Sequence, residues 1–219
     1  KTVEVNESRS CDPLIPVRWG QESPYGDYCS NGYSGCVATA IAQIMAYYRF
    51  PSSFTTTYTD APHAGETIAL NWTSIISYPY VYQVPALMRE IGQRVEMTYH
   101  PIDENDMETG SSAFSYMAPD CLISFGYSCA SGLASYEIAS IRTNLDETHP
   151  VYVRANDISE GGHAWIADGY IYSRIGTEYY EEILIDNGLT LYYDYILTNS
   201  TVQTTNLVHY NWGWDGSCD

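Results

Sequence analysis

The chain is short of positive charge: nine Lys and Arg stand against 27 Asp and Glu in 219 residues, for a formal net charge of −18. Phosphate is repelled by such a balance, so nucleic acid is excluded as a partner and anionic lipid surfaces are disfavoured. Long apolar runs are also missing. None approaches the ~20 residues that a membrane-crossing helix needs, so no membrane insertion is expected. There is no Cys-x-x-Cys pair and the five histidines are scattered, which removes the usual zinc patterns. No metal and no cofactor is implied. Internal repeats and low-complexity tracts are absent as well. What the chain does have is a hydrophobic fraction of 45% and 22 tyrosines. That supplies a core, and the length suits one compact fold over residues 1–219.

The most informative stretch is Gly35-Cys36-Val37-Ala38-Thr39-Ala40. Gly32, Ser34 and Gly35 are turn residues, and from Val37 the apolar Ala38, Ile41, Ala42, Ile44, Met45 and Tyr48 recur at helical spacing until Pro51 approaches. Cys36 therefore stands in the first turn of a helix, beside unpaired N–H groups and the positive end of the helix dipole. Both are expected to favour thiolate and to lower a pKa that starts near ~8.5. Farther on, Gly161-Gly162-His163-Ala164-Trp165 reads as a strand entered through a glycine turn. His209-Tyr210-Asn211-Trp212-Gly213-Trp214 sets an amide beside two indoles at a strand end. Nucleophilic amide hydrolysis by a thiol needs a thiolate, an imidazole to carry the proton and a group to orient that imidazole. Cys36, His163 and Asn211 supply them in that order. A donor for the tetrahedral oxyanion is the fourth requirement. Singly, each has an ordinary reading as a packing cysteine, a core histidine, a turn asparagine or a packed tryptophan. The set, in mechanistic order, carries the inference.

The remaining pattern predicts a helix from Pro85 to Thr98 and another from Ser135 to Thr148 with Ser135 as N-cap. After Pro150 it turns to strands: Val151–Val153, Ala164–Tyr172, Tyr179–Ile185, Leu189–Leu197 and Val202–Trp212, with a hairpin turn at Asp186-Asn187-Gly188. Helices first and an antiparallel sheet after give an α+β class.

These segments resemble the streptopain family of papain-like cysteine peptidases, the bacterial branch that includes interpain. The likeness is carried by Trp19-Gly20-Gln21 with Ser23-Pro24-Tyr25, by Gly35-Cys36-Val37-Ala38-Thr39-Ala40 with Ala42-Gln43-Ile44-Met45, and by Leu70-Asn71-Trp72 with Ile75. Gly162-His163-Ala164 with Asp168-Gly169, and Asn211-Trp212-Gly213-Trp214 with Gly216, complete it. The blocks are colinear. The resemblance implies a two-lobed fold in which a helical lobe carries the Cys36 helix, an antiparallel lobe carries His163, and the active-site cleft runs between them. It implies Cys36 as nucleophile, His163 as general acid and base, Asn211 as its orienter, and Gln21 with the Cys36 N–H as oxyanion hole. Trp212 and Trp214 would shield the Asn–His bond, and Gly162 would line the substrate cleft. The implied activity is that of a cysteine endopeptidase acting through an acyl-enzyme and favouring a hydrophobic residue one position before the cleavage residue. Two departures stand out. The segment between His163 and Asn211 is longer than in the family's namesake, and the family usually continues past the Trp-Gly-Trp block.

From these, the expected molecule is a single mature catalytic domain, monomeric, exported from a bacterium and released or held at the envelope. Lys1 would lie near a processing point, Asp219 near a truncation. Protein or peptide substrates are implied as partners, as is the protein's own propeptide as inhibitor of the zymogen. Papain-like machinery also performs acyl transfer and amidase chemistry, and the same fold can serve as a non-catalytic binding domain; filled catalytic positions speak against the last. With Cys36 free, Cys11, Cys29, Cys121, Cys129 and Cys218 remain. Cys121 with Cys129 could close a short loop, and Cys11, Cys29 or Cys218 a second bridge, as suits an oxidising compartment.

Overall fold

The structure, a computed structural model, describes residues 1–100, 110–128, 133–157 and 161–219. In chain order the elements are β1 (Thr2–Cys11), α1 (Cys36–Tyr48), β2 (Ser53–Thr55), β3 (Thr67–Ala69), α2 (Trp72–Ser77), α3 (Gln83–Arg94), β4 (Thr98–Tyr99) and β5 (Ser111–Ser112). A 3-10 turn, Ser115–Met117, runs into α4 (Ala118–Ser124), followed by α5 (Ile138–Asp146), β6 (Val151–Asp157), β7 (Gly161–Asp186), β8 (Leu191–Ser200) and β9 (Gln203–Asn211). The class is α+β.

The chain divides into two compact units. One comprises Pro13–Asp168 and His209–Asp219 and contains the hydrophobic core. Its centre is α1, buried without a break from Val37 to Ala46 and packed on α3 through residues such as Ile41, Met45, Leu87 and Ile91. A helix apolar on every side is stable only inside a core, so the polar side chains along it must find partners there. In the same unit β6 pairs antiparallel with the start of β7, from Val151↔Ala167 to Asp157↔Gly161. On α3, the fully buried Glu90 accepts from Thr57 N–H at 2.6 Å and pairs with Arg94 Nε at 2.8 Å, which compensates its desolvation.

The other unit comprises Lys1–Asp12 and Gly169–Val208 and contains strands alone. Here β1 pairs antiparallel with β7 from Thr2↔Tyr179 to Cys11↔Tyr170. β8 returns along β7 from Asp186↔Leu191 to Glu178↔Ser200. The Asp186-Asn187-Gly188 turn forms as expected: Asp186 Oδ1 accepts from Gly188 N–H at 2.8 Å and Asn187 Oδ1 from Thr190 N–H at 2.9 Å. Every residue of β8 is exposed.

Several boundaries differ from the sequence reading, among them the end of α3, which stops at Arg94 and leaves Thr98 to β4. The two strands expected at Ala164–Tyr172 and Tyr179–Ile185 are one strand, β7, because β1 pairs the polar stretch between them. Helix α3 starts two residues before Pro85, which falls in its first turn where a missing N–H costs no intrahelical bond. Helix α5 starts at Ile138 with extended Glu137 before it, so Ser135 is not its cap. The cysteine expectation is also revised. No two described cysteines are joined. Cys29 and Cys121 are buried thiols, whose burial pushes their pKa up to about 11 and about 12. Cys218 is exposed, and Cys129 lies outside the described residues. Among the described residues, the oxidising-compartment argument therefore has no disulfide behind it.

Candidate active site

Helix α1 begins at Cys36 because Gly35 ends the preceding turn at φ 84, ψ 146. That left-handed φ favours glycine, and a Cβ at Gly35 would also press on Met97 at 2.8 Å. No side chain caps this helix, and no acidic residue sits in its first turn. The first N–H groups, orphaned in any helix, are therefore left to the sulfur. The N–H groups of Val37, Cys36 itself and Ala164 hydrogen-bond to the Cys36 side chain and pull its pKa down, but burial is the larger influence and pushes the thiol above its ordinary value. The helix-end donors act in the expected direction, but desolvation penalises the charge more than they favour it. The Ala164 contact seats the sulfur against β7 at the residue after His163.

His163, half-buried on β7, has Nε2 3.0 Å from the Trp212 carbonyl oxygen. A carbonyl only accepts, so Nε2 carries the proton of the neutral ring and Nδ1 is the basic nitrogen. Burial lowers the imidazole pKa and the Trp212 carbonyl raises it, burial being the larger. The desolvation comes from indoles: the Trp165, Trp212 and Trp214 rings lie 5.8, 6.2 and 5.0 Å from the imidazole centroid, the first two close to parallel with it.

Asn211, at the end of β9, is 3% exposed. Its Nδ2 donates to the Val17 carbonyl at 2.9 Å, while Oδ1 accepts from Gln43 Nε2 at 3.0 Å and from Gly213 N–H at 3.2 Å. The expected Asn211–His163 bond is thus not formed. Buried main-chain groups around the strand end claim the amide, and the main-chain carbonyl one residue later meets the imidazole instead.

Gln43 was missed by the sequence reading. Fully buried on α1, it accepts from Trp19 N–H at 3.1 Å through Oε1 and donates to Asn211 through Nε2. It ties together the Trp19 segment, the cysteine helix and the end of β9. Thr39, one turn earlier on the same face, holds its hydroxyl 3.1 Å from the Gly35 carbonyl and 3.3 Å from that of Gly20. Both residues carry a readable signal, as polar positions four apart in an otherwise apolar helix.

Gln21 is held through its main chain, its carbonyl accepting from Ser34 N–H at 2.8 Å, two residues before Cys36. With Tyr25, Trp214 and Asp215 it lines a cavity of about 520 Å³. Cys36 and Gly162 line a different cavity, of about 400 Å³. Thus the structure brings Cys36 together with Gly162 and the His163 strand, and Gln21 together with Trp214. Among the described residues, no group of three or more His, Cys, Asp and Glu is arranged to hold a metal ion.

Residues 19–219 match the model of the Peptidase C10 family. Streptopain of Streptococcus pyogenes is 25% identical over 251 residues, an alignment covering 100% of this chain and 52% of that protein. The thiol protease/hemagglutinin PrtT of Porphyromonas gingivalis is 27% identical, with 92% of this chain and 22% of that protein covered. The structure of active wild-type Prevotella intermedia interpain A cysteine protease superposes with a TM-score of 0.60 at 24% identity, covering 94% of this chain and 83% of that one. A Prevotella intermedia prointerpain A fragment gives 0.55 at 22%, covering 96% and 64%. These two likenesses establish the fold. The chain spans about half the length of the streptopain sequences it matches. It belongs to the Peptidase C10 family.

Proposed function

From that membership we propose that residues 1–219 serve as the catalytic domain of an exported cysteine endopeptidase. One observation carries the reading: His163 Nε2 is bonded to the Trp212 carbonyl while the next residue's N–H reaches the Cys36 sulfur. A basic Nδ1 is thereby left on the residue next to the strand position that the thiol meets.

Cys36 passes its proton to His163 Nδ1. Burial opposes each charge separately, but the transfer creates two opposite charges side by side, whose attraction offsets the penalty. The sulfur attacks the scissile carbonyl carbon, and the carbonyl π pair moves onto oxygen, where the Cys36 N–H and the Gln21 side-chain amide stabilise it. Collapse expels the amine, which takes the proton from His163, and a thioester remains on Cys36. Water, deprotonated by His163, then releases the acid and the thiol. In this scheme the Trp212 carbonyl orients His163, the Trp212 and Trp214 indoles keep water from that bond, and Asn211 holds the segment in place. Substrates are proteins or peptides, and a propeptide blocks the cleft before maturation, a step suggested by the likeness to the prointerpain A fragment. The mature enzyme acts as a monomer outside the cell or at its envelope.

The test is Cys36→Ala. Casein hydrolysis should vanish while the thermal unfolding midpoint stays close to that of the parent. Continued cleavage by the purified variant would remove Cys36 from the chemistry.

A further inference from the structure

The cavity that Cys36 opens into contains an unusual feature for so acidic a chain. Its walls include Ser111, Ser115, Arg154, Asn156 and Gly162. Arg154 is the one cation among the described lining residues, and no described carboxylate lines the cavity. Arg9, Arg89, Arg94 and Arg174 each hold a carboxylate within 2.7 to 3.1 Å, while Arg18 and Arg49 form no such pair among the described residues and line no part of this cavity. Arg154 holds none among the described residues. Strand alternation explains its placement. Val153 turns into the core and Arg154 is exposed, directly opposite Ala164 in the β6–β7 register. Ala164 is the residue whose N–H meets the Cys36 sulfur. The guanidinium-bearing residue and the nucleophile thus flank the same strand position. Phe114 and Tyr116, with ring centroids 5.5 Å apart, add an exposed aromatic wall that can carry the apolar stem of a side chain.

We propose that Arg154 is a specificity-determining residue, and that this cavity takes a substrate side chain ending in a carboxylate, Glu or Asp, close to the scissile bond. The proposal rests on the peptidase reading of Cys36. A guanidinium presents paired donors that match a carboxylate, loses charge assistance with an amide of the same shape, and repels an ammonium. It adds an acidic preference to the hydrophobic one that the family resemblance implies. The net charge of −18 repels acidic peptides at long range, so the preference is local. It is read as a ratio among matched peptides at fixed salt.

The experiment places Glu, Gln or Lys at each position within two residues of the scissile bond of one cleavable peptide. It compares kcat/KM for the parent, Arg154→Gln, Arg154→Lys and Arg154→Glu. Because Arg154 is exposed, screening limits the gain, and the parent should favour Glu over Gln at one position by about three- to tenfold. Arg154→Gln should bring that ratio to parity, Arg154→Lys should keep a preference for Glu, and Arg154→Glu should favour Lys. A parent ratio at or below parity at every position overturns the proposal, as does a Glu preference that survives Arg154→Gln. Either result leaves the peptidase reading standing. If no peptide is cleaved and a thiol-directed peptide probe fails to label Cys36, the peptidase reading falls and this proposal with it.

Discussion

Replacing Asn211 by Ala separates two roles for the amide: holding main-chain groups, or orienting His163. The side chain makes three hydrogen bonds in a 3% exposed site, to the Val17 carbonyl, Gln43 Nε2 and Gly213 N–H. Truncation leaves those partners unsatisfied at about 1–3 kcal/mol each. Water entering the vacated polar space recovers part of this, so a net loss of about 2–4 kcal/mol is expected. Typical domains have about 5–15 kcal/mol, so the variant should remain folded at 25 °C. His163 keeps its Trp212 partner, so the pH midpoints of turnover and of Cys36 alkylation should not move. Urea unfolding followed by far-UV circular dichroism gives the first quantity, and iodoacetamide labelling across pH the second. Gln43→Leu removes one of the same bonds from the other side and should behave alike. If Asn211→Ala costs less than about 0.5 kcal/mol and shifts the acidic midpoint by about one unit, the amide acts on the imidazole and the reasoning is wrong.

In His163→Gln, burial acts on Cys36 without a counter-charge. Burial disfavours the thiolate and raises the thiol pKa, so alkylation should shift above the ordinary range near ~8.5, whereas the parent should label at lower pH. Superimposable profiles would take His163 out of the ionisation of Cys36. Gly26→Ala tests the loop that carries Gln21: a Cβ there would lie 2.0 Å from the Gly32 carbonyl oxygen and 2.7 Å from that of Gln21. Both atoms are main chain, so the loop must shift, at a cost of about 1–3 kcal/mol. A fall in kcat with little change in KM is expected from steady-state peptide hydrolysis; an unchanged kcat would mean that the position of Gln21 is immaterial to turnover.

Elements with a strong local period were legible from the sequence. Helix α1 declares itself by its apolar spacing and by Pro51 beyond its end, and the β7–β8 turn by Asp186-Asn187-Gly188. Elements that owe their form to distant partners were not. Strand β1 has only Val3 and Val5 to mark it within a polar run, and it exists because residues 170–179 of β7 pair with it. That pairing is also why one long strand read as two. Short helices such as α2 and α4 offer too few turns for a period to emerge.

The site follows the same division, with an instructive displacement by one residue. Side chains bear chemistry that a sequence displays, so Cys36 and His163 could be paired on their local contexts, and the Asn211 segment was drawn in with them. Main-chain carbonyls are identical at every position, and nothing in the letters distinguishes that of Trp212 from any other. The asparagine therefore took the orienting role on paper, while in the structure its amide is spent on Val17, Gln43 and Gly213. The trade has a physical basis. A strand ending inside a core leaves N–H and C=O groups that must be met, and a buried primary amide can donate and accept at once. With the amide so engaged, the strand end is anchored in the core by side chains, while the carbonyl that follows it is left to meet His163, so Gln43 and Asn211 serve the packing of the segment and the main chain of Trp212 fixes the histidine tautomer.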